Sequence, residues 1–179
     1  MLRWSRRAVA PLALLALCAA VFAPAGSAAR SSHHVALTVL ESGVLHDLNA
    51  IRTQHGLVPL RLNAELTSAA TQHSREMGVD GYFQHTSVDG TAFWKRIVRW
   101  YGSTGYGYWS VGENLLWSSP DVTPQAALQL WMNSPEHRAN ILAPRWREIG
   151  VSAVHLATAP GTYANRPVTI ITTDFGVRR

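Results

Sequence analysis

Cysteine is all but absent: the chain has 179 residues and one cysteine, Cys18, inside an apolar run near the amino terminus. Any segment that keeps no cysteine has no disulfide, no reactive thiol and no thiolate metal ligand, so its stability must come from a packed core. Cys18 follows Leu17 rather than a small residue, which excludes it as a lipidation site. Charge is also sparse, at 15% against 47% hydrophobic residues, a balance that excludes a disordered chain and fits one globular domain. Long apolar runs are missing. Ala8 to Phe22 is the longest, interrupted by Pro11 and shorter than the twenty or so residues that span a bilayer. There is no internal repeat, no His-Glu-x-x-His and no Gly-x-Ser-x-Gly, since Gly107 and Gly112 flank Ser110 at the wrong spacing.

Residues 1–29 read as an export signal. Arg3, Arg6 and Arg7 form a basic start, an apolar stretch follows, and Ala25-Gly26-Ser27-Ala28-Ala29 offers small residues for cleavage near Ala29. Arg6-Arg7 is a weak pointer to the twin-arginine route. The formal charge of +5 is largely this leader. With its three arginines removed from 16 basic residues, 13 remain against 11 acidic ones, too near balance to draw nucleic acid. The mature chain is expected to be secreted or held in the cell envelope, monomeric, and without a membrane span.

Residues 30–40 form a short segment, followed by a single domain over 41–179. Val39, Leu40, Val44, Leu45, Leu48 and Ile51 recur at helical spacing, with Glu41, Asp47 and Arg52 off the stripe and Gly56 as the stop. A second helix is capped by Asn63 and carries Leu66, Ala69, Ala70, His73 and Met77 on one face, where His73 is read as structural. His85 falls in a loop over 78–90. Thr91 to Tyr101 reads as a third helix with a solvated basic side. Gly102 to Trp109 is a glycine-aromatic loop whose rings either meet a ligand or fold back over the core. Ser110 to Trp117 is strand-like, Asp121 to Met132 helical, and Glu148–Leu156 with Val168–Val177 an antiparallel pair. Helices before and after strands give an α+β fold.

The stretch Trp131 to Leu142 holds the densest chemistry. Ser134 and Pro135 read as N-cap and first helical residue. His137 then lies in the first turn, where the helix dipole favours the neutral ring that accepts a proton or binds a metal. A lone histidine there is more often a satisfied polar residue, and its company shifts that weighting: His85 and then Gly112-Glu113-Asn114 stand upstream.

Together with Leu48-Asn49, Arg52, the Gly56 to Leu60 link and Asn63 to Leu66, these motifs resemble the CAP superfamily of cysteine-rich secretory, antigen 5 and pathogenesis-related-1 proteins, in its short bacterial form. The resemblance implies a three-layer α-β-α sandwich with a cleft holding two His and two Glu. The matched residues are His85, Glu113 and His137. Ser134 stands in place of the second Glu, with Glu136 and Asn114 as further candidates. His85 and His137 are the implied Zn²⁺ ligands, and the missing carboxylate makes the expected site weak. Three functions follow in order: an extracellular binding module for a lipid, glycan or peptide; an envelope interaction protein; and a metal-dependent hydrolase with Glu113 as candidate base. No nucleophile stands out, so an enzyme is the less favoured reading.

Overall fold

A computed structural model describes residues 36–179. The leader expected over 1–29, with Cys18, lies outside the described residues. Helix α1 (Val39–Gln54) opens with a capping box in which Thr38 and Glu41 satisfy each other's backbone N–H. Val39 and Leu40, on the helical stripe read from the sequence, thus form its first turn. After the link Leu57 to Leu60 come β1 (Arg61–Leu62) and α2 (Ala64–Asp80), the latter capped by Asn63 and closed by Gly81 at φ +71°. Next in order are α3 (Phe93–Ile97), β2 (Trp109–Ser118), α4 (Pro124–Asn133), α5 (Pro135–Ile141), β3 (Glu148–Ala159) and β4 (Arg166–Arg178).

The four strands form one sheet in the order β1-β3-β4-β2, with β1 parallel to β3 and the other pairs antiparallel. Side chains alternate between its faces. One face packs Ile149, Val151, Ile171 and Phe175 under Leu48 of α1 and Trp131 of α4. The other packs Leu115 and Ile170 under Met77 of α2, with Leu66, Ile97 and Tyr101 in a third cluster beside them. The fold is therefore the α+β, three-layer α-β-α sandwich.

Two sequence readings are corrected. Arg52, placed off the apolar stripe, is fully buried. Its guanidinium donates to the carbonyls of Ile141 (2.6 Å) and Ala143 (3.1 Å), and also to Val58, so it ties α1 to the end of α5. The expected third helix over Thr91 to Tyr101 is helical only from Phe93 to Ile97, and Arg96 on its supposedly solvated side is buried. Ser134 and Pro135 take the N-cap and first helical positions of α5 as read from the sequence, although the Ser134 hydroxyl makes no backbone cap. The glycine-aromatic loop divides between the two alternatives: Trp109 at its end packs against the cluster of Leu66, Ile97 and Tyr101, whereas Tyr106 and Tyr108 stay exposed, with Arg178 and Arg179 over their rings.

Strand β2 is an edge, and its outward carbonyls are guarded. Asn140 donates to the Glu113 carbonyl (3.3 Å) and Trp131 Nε1–H to the Leu115 carbonyl (2.9 Å). These bonds obstruct the addition of a further strand along that stretch.

Candidate functional site

The edge position of β2 builds the site. Glu113 projects toward the α2 face and Asn114 toward the α5 face, so elements from both layers converge at the sheet's rim. From one side comes the loop after α2, carrying His85. From the other comes α5, carrying His137. The cleft between them has a volume of about 590 Å³ and is lined by His85, Glu113 and His137 with Phe93, Asn140 and Arg145. Asn114 and Glu136 also reach its wall. All three matched residues are thus brought together.

The loop is held rigidly. His73 Nε2 meets the Gln84 carbonyl at 3.0 Å, so the histidine read as structural anchors the residue before His85. Arg96 then donates to the His85 carbonyl and to Ser87 Oγ, both at 3.1 Å, and pairs with Glu113 through its other terminal nitrogen. One buried guanidinium therefore locks the loop to the strand.

Glu113 is wholly enclosed, whereas the His85 side chain is 51% exposed. The two meet at 2.8 Å, Nδ1 to Oε1. Burial alone would raise the Glu113 carboxyl, but the His85 hydrogen bond and the Arg96 charge override it and hold the group below its ordinary range. An ionised carboxylate only accepts, so Nδ1 of His85 must carry the proton, and a neutral His85 has its lone pair on Nε2. Both Glu113 oxygens are engaged, which leaves the exposed His85 ring as the group this pair offers the cleft.

His137 reaches the same state by another route. Its Nδ1 lies 2.7 Å from Ser134 Oγ, whose hydroxyl points on to Glu136 at 3.3 Å. With the Ser134 proton given to Glu136, Nδ1–H of His137 donates to Ser134 and Nε2 is again left as the acceptor. Burial, with His85 nearby as the second cause, lowers the His137 pKa, so this ring is neutral at pH 7. Asn114 is a strut: its amide donates to the His137 carbonyl (3.1 Å) and accepts from Asn140 (3.0 Å).

The description "CAP: Cysteine-rich secretory protein family" matches residues 45–164. The chain belongs to the CAP family. This CAP domain is 34% identical over 119 residues to the uncharacterized protein YkwD of Bacillus subtilis, a match spanning 66% of this chain and 44% of that protein. It is 29% identical over 114 residues to the uncharacterized membrane protein YlbC of the same organism, covering 64% of this chain and 31% of YlbC. The chain thus spans less than half the length of these curated relatives. Among solved structures, an extracellular protein containing a SCP domain from Bacillus anthracis superposes with a TM-score of 0.56 at 28% identity, over 82% of this chain and 45% of that one. An outer surface protein from Borrelia burgdorferi gives a TM-score of 0.63 at 20% identity over 82% of this chain and 98% of that one, a likeness of fold.

Two residues of the CAP site escaped the sequence reading. Arg96 was hidden in a basic-looking run, although its place between Phe93 and Ile97 on a turn next to buried residues was a signal. Asn140 lies inside the Trp131 to Leu142 block but was given no role; here it bonds to both Glu113 and Asn114. Among the described residues no group of three or more His, Cys, Asp or Glu is arranged to hold a metal ion. Of the three matched residues the two imidazoles are left to face the cleft, because each Glu113 oxygen already holds His85 or Arg96, with the Glu136 carboxylate also on the wall.

Proposed function

We propose that this CAP domain is exported by the leader at residues 1–29 and acts outside the cell as a binding module, with the His85, Glu113 and His137 cleft as its ligand site. The observation that carries the reading is the pair of contacts at Nδ1, from Glu113 to His85 (2.8 Å) and from Ser134 to His137 (2.7 Å); in the neutral tautomers that these contacts suit, Nε2 of each ring is the free acceptor. Such a pair suits a ligand bearing O–H or N–H donors. The open cleft sets a few polar groups among largely apolar walls, with the Phe93 ring available for stacking, a mix that suits a glycan or peptide.

Chemical-shift mapping with soluble cell-wall glycans and peptides tests it. Binding should perturb His85 and His137, and His137→Ala should weaken it about tenfold through loss of one hydrogen bond near 1.4 kcal/mol. Ligands that map instead to the groove of Thr71, Arg75 and Trp100 on the outer side of α2 would refute the assignment.

The same two nitrogens admit a weakly held Zn²⁺, completed by water, since two imidazoles are an incomplete protein set. A bound ion would supply Lewis acidity, and the chain's own contribution would be to orient both rings. Zinc titration should lose most of its heat on His85→Ala or His137→Ala and little on His73→Ala, with affinity falling toward acid pH as protons compete for the rings. Equal sensitivity to all three substitutions would exclude the pair as ligands.

A further inference from the structure

Beneath the cleft, on the α2 side of the sheet, lies a buried acid that the site described above does not use. Asp174 of β4 is the cross-strand partner of Glu113 and is fully enclosed. Residues directly opposite in an antiparallel pair project to the same face, with Cβ atoms about 5 Å apart. The two carboxyl groups therefore project into the same enclosed space on the α2 face. Among the described residues neither Asp174 oxygen receives a hydrogen bond.

Of the groups packed around it, Arg96 offsets part of the cost by its charge, and its Nε–H is likewise without a hydrogen-bond partner. Strand β2 supplies Glu113 and α3 supplies Arg96. From α2 come His73 and Ser74, and from β3 the uncharged Gly150 and Ser152. Arg96 spends its terminal nitrogens on His85, Ser87 and Glu113. Ser74 donates its hydroxyl to Thr172 (2.8 Å). His73 gives Nε2–H to Gln84, and burial lowers its pKa, so it is neutral and adds no cation. Two ionised carboxylates in this enclosure would share one guanidinium, a costly arrangement. Glu113 has two donors and Asp174 has none, which decides which of them keeps a proton.

We infer that Asp174 is held as the neutral acid and donates its proton to a Glu113 oxygen, making it a buried positioning residue behind the His85–Glu113 pair. Burial first, and the Glu113 charge second, push the Asp174 carboxyl well above its ordinary range. Glu113 is then gripped by three donors from three elements: His85 Nδ1–H, the Arg96 guanidinium and the Asp174 hydroxyl. Its carboxylate cannot turn, and the His85 tautomer is fixed in consequence. The proton on Asp174 stands whether or not the cleft takes a ligand; only the benefit to binding rests on that reading.

Carbon-13 NMR of the Asp174 carboxyl in the exported chain tests the proton directly. The resonance should still stand at its protonated position at pH 7, and a carboxylate position there would overturn the proposal. Asp174→Asn retains a donor in the same shape. It should preserve the His85 Nδ1–H resonance and raise the folding equilibrium at pH 7 by at least about tenfold, because the unfolded aspartate releases a proton that the folded one retains. That gain should shrink as pH falls toward about 3.8. Asp174→Val removes the donor and should speed exchange of the His85 Nδ1–H at least about tenfold. Destabilisation by the Asn variant at pH 7, or unchanged exchange in the Val variant, would each count against it. The carboxyl resonance and the Asn variant decide the matter even where the Val variant does not fold. Loss of glycan or peptide binding alone bears on the cleft and leaves this assignment untouched.

Discussion

At the scale of the residue, the orientation of His85 is governed by what Glu113 can accept. Glu113→Gln keeps one acceptor oxygen for Arg96 but turns an amide N–H toward His85. The neutral ring must then accept at Nδ1 and carry its proton on Nε2, so the cleft would present a donor where the native protein presents an acceptor. Nitrogen-15 spectra should show that tautomer exchange together with loss of ligand, at a modest cost in stability. Glu113→Ala should cost more, on the order of 2 kcal/mol or above in a denaturant titration, since it abandons a buried guanidinium. Equal and negligible losses would mean the carboxylate is not a buried hub. Much of this was legible in the residues: His85, Glu113 and His137 stood in short polar motifs with apolar flanks. Arg96 and Asp174 did not, because each looks like an ordinary charge in a run of its own element. Their meaning exists only across elements, where α3 and β4 carry them to the same side of β2.

At the scale of the element, the site depends on how closely α5 approaches the strand. Gly112 makes that approach possible: a Cβ there would stand 2.7 Å from Asn140 Oδ1 and 2.8 Å from a Trp146 ring carbon. Asn140 and Trp146 are themselves joined by the indole N–H, donated to Asn140, so neither gives way easily. Gly112→Ala should cost roughly 1–3 kcal/mol by overpacking and speed amide exchange across Pro135–Ile141. Gly150→Ala should be worse, since its Cβ would sit 2.1 Å from the Leu66 backbone carbonyl carbon, and backbone cannot swing aside as a side chain can. Denaturant midpoints in the reverse order would contradict this account of the layer spacing. Strand and helix identities were readable from periodicity, which reports one element at a time. The failure at α3 has the same origin. Phe93, Ile97 and Tyr101 keep the helical spacing, but the helix stops at Ile97 and a turn follows, with Tyr101 bonded back to Ile97.

At the scale of the whole molecule, a core without disulfides among its described residues carries a polar seam through one of its two layers, and that seam sets how stability responds to pH. His73 is buried with Nδ1 lacking a hydrogen bond. Desolvation is the leading cause of its lowered pKa, offset in part by Glu113, while Arg96 adds to the lowering. His137 is lowered as well, by burial and then by His85. For such a histidine the unfolded state takes up a proton first as pH falls below about 6.5, so stability present above that pH is lost progressively below it. Asp174 has the opposite sign: its folded pKa is raised, so its contribution is fullest below about 3.8 and is lost as pH rises through the folded pKa. The two groups are separable by substitution. His73→Gln keeps a donor for the Gln84 carbonyl but does not titrate, and its stability relative to the native chain should improve steadily as pH falls from 7 to 5. Asp174→Asn should show the reverse slope over the same range, its advantage growing as pH rises. Urea denaturation of both variants at half-unit pH steps provides the check. Parallel curves for native chain and His73→Gln would show that the acid sensitivity lies elsewhere than under the cleft.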